Sequence, residues 1–270
     1  MNTVWPDGPG GPAARRQMND VRPMPGGGEN PREHMYRKYV SSGASGVKPE
    51  AIKDLAPRVP YLRRIVRNFF PANKQAAILD LGCGNGALLH VLAQEGYCNL
   101  SGVDASAEQV EVAHTLGVLG VKQSDLFSYL LEACSATFDV VITFDVIEHL
   151  YKQEVMHLAG EVHRVLRPDG RWLIHVPNGE SPFVGRIRYG DFTHELAFTR
   201  VSLSALLKSC GFDSVQCFED VPTLHGLKSA IRYALWRILR LPLRFWIMVE
   251  TGENGQDCIF SQNLLALARR

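Results

Sequence analysis

The amino-acid sequence predicts an α/β fold in which helices cover both faces of a mostly parallel sheet. Apolar runs of strand length alternate with stretches whose apolar residues recur at helical spacing, as in repeated βαβ units. The clearest run, 138–144, is nearly continuous, as expected of a central strand buried on both faces. With 270 residues, 46% of them hydrophobic, the chain can form one large core with attachments.

A glycine-rich turn joins the first predicted strand, 76–81, to a helix that begins near Ala87. Gly82, Gly84 and Gly86 stand at alternate positions, where the backbone must turn sharply and a ligand can approach closely. The helix start offers unpaired N–H groups and a positive dipole end, so we expect a nucleotide-like ligand here. Gly82, Gly84 and Ala87 also fit a dinucleotide fingerprint, so the glycines alone do not identify the ligand.

Asp80 separates the ligand classes, because a carboxylate at this strand end suits a cationic ligand and is unfavourable beside a pyrophosphate. The run D-L-G-C-G-N-G closely resembles the first motif of class I S-adenosylmethionine-dependent methyltransferases. That cofactor carries a sulfonium and an amino group and no phosphate. The resemblance implies a Rossmann-like sheet of seven strands with the last antiparallel, and cofactor contacts from Asp80, Gly82, Cys83, Gly84 and Gly86.

Two further acids follow the next predicted strands. Asp104, beside Ala105, ends strand 100–103, about 20 residues past the glycine turn, where an acid can accept hydrogen bonds from ribose hydroxyls. Asp104 is alternatively a helix N-cap, but Ser106 can cap instead and leave Asp104 for the ligand. In the methyltransferase family, the acid matching Asp125 meets the adenine amino group, with apolar neighbours such as Leu126 and Phe127 beside the ring.

The segment after the fourth strand resembles small-molecule methyltransferases of the ubiquinone-biosynthesis type. It starts at Phe144, assigned to the cofactor, and continues as D-V-I-E-H-L at the sheet edge where open α/β folds bind ligands. Transfer to a hydroxyl needs a general base, and histidine titrates near neutral pH. His149 is the first candidate, with His194 and Asp191 second; alternatively, His149 caps the next helix or orients Glu148.

A long polar and aromatic insertion, 177–198, follows the fifth predicted strand, and its position near the ligand edge indicates acceptor contacts. Its R-Y-G-D-F-T-H-E segment is similar to segments of bacterial methyltransferases associated with sugar and cell-surface glycan biosynthesis. The resemblance favours O-methylation of a sugar, glycan or glycolipid over a quinone, polyketide or other small metabolite. The alternative is a loop in which Asp191 and His194 only hydrogen-bond to one another.

The chain divides into a disordered tail, 1–30, a helical cap, 31–74, and a cofactor-binding domain, 75–270, with insertions at 177–198 and 221–257. Within the cap, Tyr36 or Tyr39 either contacts the cofactor or only packs. The second insertion contains a basic amphipathic helix, 227–241, that Pro242 is expected to interrupt before apolar residues resume. Segment 227–249 fits peripheral contact with anionic lipid, a lid over the active site, or the seam of a homodimer.

Other classes find less support. A net charge of +1 gives no basic field for nucleic acid, and no N/D-P-P-Y/F-type motif follows the fourth strand. The six cysteines lack a disulfide framework and the first residues lack an apolar signal region, which predicts a cytoplasmic setting. The histidines form no metal-binding motif in sequence, so no metal is predicted. A nicotinamide oxidoreductase and a non-catalytic cofactor-binding subunit remain the rival functions.

Overall fold

The computed structural model describes residues 51–252, 254–255 and 257–270. The predicted tail and the first part of the cap, with Tyr36 and Tyr39, lie outside the described residues. The described chain forms one sheet of seven strands in the order β3-β2-β1-β4-β5-β7-β6. The strands are β1 (Ala77–Leu81), β2 (Asn99–Asp104), β3 (Val121–Gln123), β4 (Phe138–Phe144), β5 (Leu166–Pro177), β6 (Ser214–Glu219) and β7 (Asn263–Arg269).

Strand β7 pairs antiparallel with both β5 and β6, whereas all pairs among β1 to β5 are parallel. The predicted Rossmann-like sheet with an antiparallel last strand is therefore confirmed. The parallel arrangement brings the carboxyl ends of β1, β2 and β4 to one edge, which is where the predicted ligand site lies.

Helices cover both faces of the sheet. They are α1 (Val59–Phe69), α2 (Ala87–Gln94), α3 (Ala107–Thr115), α4 (Leu126–Glu132), α5 (Lys152–Val165), α6 (Val184–Arg188), α7 (Arg200–Ser209) and α8 (Leu227–Thr251). Apolar residues of α1, α2 and α3 form a core on one face, and those of α4, α5 and α7 form a second core on the other. The two cores hold the strand ends in a fixed arrangement around the site.

The apolar runs of the sequence also predict a third strand around 118–122, a fifth strand at 172–176 and a last strand at 257–268, and the structure moves the start of each. Strand β3 begins at Val121 and not at 118, because the preceding residues turn through Gly117, which has a φ of 78°. Strand β5 begins at Leu166, before the predicted start at 172, with a register shift against β4. The last strand begins at Asn263 and not at 257.

The predicted interruption at Pro242 is wrong, since α8 continues through it to Thr251. Pro242 lies on the exposed side of the helix, where water can satisfy the carbonyl group that its missing N–H leaves. Within the described residues, none of the helices combines the length and the apolar character needed to cross a membrane.

Candidate functional site

A cavity of about 700 Å³ opens at the carboxyl edge of β1, β2 and β4. This volume lies in the range typical of small-molecule and cofactor sites. The cap contributes Arg58 and Leu62 to its wall, and α3 contributes Gln109. The wall also contains all but one of the predicted cofactor residues, namely Asp80, Gly82, Cys83, Gly84, Asp104, Ala105, Asp125, Leu126 and Phe144.

Two glycines of the turn have different roles: Gly84 leaves room for a ligand, and Gly86 leaves room for packing. Gly84 has a φ of 53°, and a Cβ atom there would meet only the Gln109 side chain, at 3.9 Å, beside the cavity. Gly86, the predicted cofactor residue absent from the described cavity wall, has a φ of 72° and precedes α2 as its N-cap. A Cβ on Gly86 would lie 2.8 Å from Val118 Cγ1, so this glycine is required by packing.

Asp80 is only 2% exposed, yet its Oδ1 atom has no hydrogen-bond partner within the described chain. Burial, and then the charge of Asp104, raises its pKa to about 8. A buried carboxyl group without a partner is costly and is satisfied by a donor or a cation. The β1 end therefore presents an acceptor to whatever occupies the cavity.

Asp104 lines the cavity. The sequence suggested that capping by Ser106 would leave the Asp104 carboxylate without backbone partners, but the carboxylate accepts two backbone hydrogen bonds. Its Oδ2 accepts from the Gly84 N–H and its Oδ1 from the Ser106 N–H, both at 2.8 Å. Ser106 in turn caps α3 by accepting from the Gln109 N–H. Burial raises the pKa of Asp104, and the two backbone hydrogen bonds oppose this rise. Asp104 thus fixes the glycine turn while retaining lone pairs toward the cavity.

Asp125 also performs a structural task. Its Oδ1 accepts from the N–H groups of Phe127 and Ser128, at 3.0 and 3.1 Å, and so caps α4. Phe127 is buried with its ring 5.4 Å from that of His157, while part of it lines the cavity. The cap orients both residues at the cavity wall.

His149 lines the same cavity, and two hydrogen bonds connect it to Asp191. Its Nδ1 lies 2.8 Å from Thr193 Oγ1, and that hydroxyl donates to Asp191 Oδ1 at 2.6 Å. Because the Thr193 proton goes to Asp191, its oxygen accepts from Nδ1–H, which places the His149 lone pair on Nε2. Thr193, which the sequence did not indicate, connects two of the three candidates, His149 and Asp191.

Electrostatics keeps this histidine neutral. Burial, and then the nearby His194, lowers the pKa of His149 to about 4. The pKa of Asp191 is lowered because the hydrogen bonds from Thr193 outweigh the effect of burial. His194 stands edge-on to His149, with ring centroids 4.6 Å apart, and its Nδ1 lies 3.0 Å from the Ile187 carbonyl oxygen. The alternative in which Asp191 and His194 bond only to one another is not what the described loop forms.

The insertion 177–198 is held to the strand-four edge by backbone contacts. The Glu148 carbonyl accepts from the N–H groups of Glu195 and Leu196, at 2.7 and 3.0 Å. The Arg188 guanidinium donates to the carbonyls of His194 and Glu195. These bonds position the residues beside His149.

Glu148 forms a second feature of this region. It is 1% exposed, its Oε2 has no hydrogen-bond partner in the described chain, and burial and then Asp145 raise its pKa well above the ordinary value. Glu148, His149 and His194 place one ligand atom each within 4.8 Å of one another. This donor set could hold a divalent cation, and the sequence did not reveal it because the ligands come from two distant segments.

A buried charge network lies behind Phe144 and was also missed. His175 Nδ1 is 2.5 Å from Asp145 Oδ1, and Nε2 is 3.4 Å from Asp220 Oδ2. Arg64 binds the other Asp220 oxygen at 2.8 Å. Burial alone would lower the pKa of His175, but Asp145 and Asp220 raise it to about 10. Since His175 lies within the apolar run W-L-I-H-V, only the fold reveals these partners.

Comparison with known proteins identifies the family. A family model described as "Methyltransferase domain" matches residues 55–217. A ubiquinone biosynthesis O-methyltransferase of Rickettsia felis is 32% identical over 125 residues, 45% of this chain and 49% of that protein. A probable S-adenosylmethionine-dependent methyltransferase of Mycolicibacterium smegmatis is 30% identical over 139 residues, 50% of this chain and 51% of that protein. The chain spans about half the length of these relatives.

Solved structures share the fold at low sequence identity. A SAM-dependent methyltransferase from Archaeoglobus fulgidus has a TM-score of 0.61 and 21% identity, covering 80% of this chain and 94% of that one. Phosphoethanolamine N-methyltransferase 2 of Haemonchus contortus, in complex with S-adenosylmethionine, has a TM-score of 0.55 and 19% identity, covering 78% and 52%.

Proposed function

Because the chain belongs to the methyltransferase-domain family and is a class I S-adenosylmethionine-dependent enzyme, we propose that it methylates a hydroxyl oxygen with His149 as the general base. The leading acceptor is a sugar, glycan or glycolipid intermediate. The observation that carries the proposal is that His149 shares the glycine-turn cavity and is connected through Thr193 to Asp191.

The residues of the cavity fit the cofactor. When bound, S-adenosylmethionine supplies a methyl group already activated by a positive sulfonium. The partnerless Oδ1 of Asp80 suits the cofactor's amino group, and Gly84 leaves room for close approach. Asp104 keeps lone pairs for ribose hydroxyls, while Asp125 and Phe127 are our candidates for the adenine ring.

His149 is suited to remove the acceptor proton. Its lowered pKa of about 4 keeps the imidazole neutral at pH 7, and the Thr193 contact leaves the lone pair on Nε2. A hydroxyl oxygen that is forming a bond to carbon becomes strongly acidic, so a weak base is sufficient to accept its proton. Asp191 then stabilises the positive imidazole through Thr193.

The insertion supports an acceptor with extended flat or apolar faces. Phe183, Tyr189 and Phe192 are exposed aromatic side chains on this segment. Such rings pack against the apolar faces of sugars, which is consistent with the glycan class. They would also pack against a quinone, and the ubiquinone-biosynthesis relatives favour that alternative, along with polyketides and other small metabolites.

A second way of activating the acceptor follows from the carboxyl group of Glu148. A divalent cation held by Glu148, His149 and His194 would lower the pKa of an acceptor hydroxyl, and His149 would then serve as a ligand. A chelator should abolish turnover by the metal mechanism and leave turnover by the base mechanism unchanged.

The test is methyl transfer from labelled cofactor to a panel of sugars, glycolipids, quinone precursors and phenols, with the methylated atom located by mass spectrometry. Wild type is compared with His149→Ala and with His225→Ala, which replaces an exposed histidine outside the cavity. The proposal expects sugar or glycolipid O-methylation, a loss of about 100-fold or more in H149A, and no loss in H225A.

The other outcomes are equally informative. Methylation of quinones or phenols alone would show that the acceptor belongs to the alternative class and is not a sugar. Loss of turnover with a chelator, reversed by Mg²⁺ or Zn²⁺, would replace the base mechanism by the metal mechanism. Cofactor binding without any methylated product would identify a non-catalytic subunit.

A further inference from the structure

Helix α8 contacts the body of the protein through its more polar side and not through its apolar side. Its 25 residues extend about 37 Å at the α-helical rise. The residues of α8 that are turned toward the body recur at helical spacing, and most of them are polar or aromatic. They are Ser229, Tyr233, Trp236, Arg240, Leu243, Arg244 and Ile247. Only Ser229 is fully buried, so the helix adds little to the apolar core.

Specific contacts fix this orientation. The Arg240 guanidinium forms an ion pair with Glu219 at the end of β6. The same guanidinium lies over the Trp236 ring, with 4.5 Å from Cζ to the ring centroid. The Trp236 contact lies within α8 and holds the guanidinium in place. Rotating α8 to bury its apolar side would break the ion pair with Glu219 and the contact of the Arg240 guanidinium with the Phe260 ring, 5.9 Å from Cζ to the ring centroid.

The opposite side of α8 is apolar and turned outward. Helical spacing in the sequence predicts that Leu227, Ile231, Ala234, Ile238 and Leu241 share one face, and in the structure all five are exposed, so this face points away from the body. Its large side chains are 53–79% exposed, namely Leu227, Ile231, Leu235, Ile238, Leu241, Phe245 and Val249. A continuous exposed stripe of this kind marks an interaction surface.

Basic residues flank the stripe. At 100° per residue, the exposed Lys228 and Arg232 lie along one border and the exposed Arg237 lies along the other. Between Leu227 and Val249 the chain has no Asp or Glu, whereas the chain as a whole has a net charge of only +1. Trp246 stands exposed at the border, where an amphipathic ring suits a lipid headgroup layer.

We propose that α8 lies in the surface of an anionic lipid bilayer, with its apolar stripe in the acyl boundary and its basic borders at the phosphates. This arrangement satisfies the apolar stripe, the excess of positive charge and the exposed tryptophan together. It does not depend on the acceptor proposed above, since binding to lipid needs no turnover.

Other occupants are less well matched. A second copy placed against the stripe would bring Arg232 and Arg237 of each chain near the same basic groups of the other, with no acid in the segment to offset them. A lid over the active site is also unsupported within the described residues, because no α8 residue lines the cavity. Helix α8 instead leaves from the end of β6, at the same sheet edge as the cavity.

The experiment is co-sedimentation of the full-length protein with vesicles of phosphatidylglycerol and phosphatidylcholine, compared with phosphatidylcholine alone. Two double variants test the two components: Ile238→Glu with Phe245→Glu on the stripe, and Arg232→Glu with Arg237→Glu on the borders. The matched controls replace exposed residues elsewhere, Leu119→Glu with Leu131→Glu and Lys122→Glu with Lys208→Glu. Cofactor binding and circular dichroism verify that each variant is folded.

We expect binding to the anionic vesicles at low salt, weakened by added salt, and reduced about tenfold or more by either α8 variant but by neither control. Absence of binding by the wild-type protein at low salt would overturn the proposal. A dimer that becomes monomeric in the stripe variant, without vesicle binding, would assign the surface to a second copy. Protection of α8 from hydrogen exchange that is lost on removal of residues 1–50, again without vesicle binding, would assign it to the chain's own N-terminal segment.

Discussion

The rings of Phe144 and His175 stack with their centroids 4.2 Å apart and their planes 8° from parallel. These residues are paired across β4 and β5, so the sheet register itself creates the stack. Phe144 faces the cofactor cavity, and His175 lies behind it in the network with Asp145 and Asp220. The cavity wall is therefore supported by a charged histidine.

The first prediction is that stability depends on the charge of His175. The pKa of His175 in the folded protein, about 10, lies above the ordinary value of 6.5. The charged His175 therefore contributes fully to the free energy of unfolding below pH 6.5, and this contribution is lost as the pH rises toward 10. Since the side chain of Asp145 is half exposed, we discount the contribution to roughly 2–3 kcal/mol.

Denaturant unfolding at pH 6.5 and pH 9.5 measures this contribution. The free energy of unfolding should fall more between the two pH values in wild type than in His175→Gln. The exposed-site control His225→Gln should follow wild type. Parallel pH dependence in wild type and H175Q would show that His175 is neutral in the folded protein.

The second prediction concerns Asp80. In the absence of ligand its pKa is raised to about 8, so the carboxyl group must lose a proton before it can bind a cationic amino group. Affinity for S-adenosylmethionine should therefore increase from pH 6 to pH 8. Asp80→Asn should bind roughly tenfold to hundredfold more weakly and lose this pH dependence, because a charged hydrogen bond is removed.

Isothermal titration calorimetry at several pH values is the measurement, with the exposed Asp213→Asn as control. Wild-type binding in buffers of different ionisation enthalpy should also reveal proton release. Unchanged affinity in D80N would mean that another group binds the amino end of the cofactor.

The third prediction separates two glycines of one motif. Ala at Gly84 places a methyl group in the cavity, so cofactor affinity should fall about tenfold or more, with roughly 1 kcal/mol lost from stability because φ is positive. Ala at Gly86 collides with Val118 at 2.8 Å, so it should cost about 2 kcal/mol or more of stability. Thermal unfolding and cofactor titration of the pair distinguish these effects. Equal loss of affinity in both folded variants would contradict the distinction.

The parts of the site that were predictable from sequence come from contiguous residues. The strand, the glycines and Asp80 form one motif, so their placement at a sheet edge follows from the βα unit alone. Thr193 and Asp191 reach His149 only because the insertion folds back onto the backbone of Glu148. That contact has no local signal in the sequence.

Helix α8 shows a different limit. Periodicity identifies an apolar face but does not state whether that face meets the core or the solvent. Here the orientation is set by the ion pair between Arg240 and Glu219, which joins residues distant in sequence. The sequence therefore predicted the helix and its amphipathic character, while the outward direction of Leu227, Ile231 and Ile238 required the structure.

The last prediction tests Thr193 as a positioning residue. Thr193→Val removes the hydroxyl group between His149 and Asp191 with little change in volume, so Nδ1 loses its acceptor and the tautomer is no longer fixed. We expect kcat to fall about 10- to 100-fold while cofactor affinity is unchanged, because Thr193 is absent from the described cavity wall. Thr193→Ser keeps the hydroxyl group and should restore most of the turnover.

Nitrogen NMR of the His149 ring should show a proton on Nδ1 in wild type and in T193S, and a mixture of tautomers in T193V. If T193S is as impaired as T193V, packing of the methyl group and not the hydrogen bond supports catalysis; if T193V retains full kcat, His149 is not oriented through Asp191.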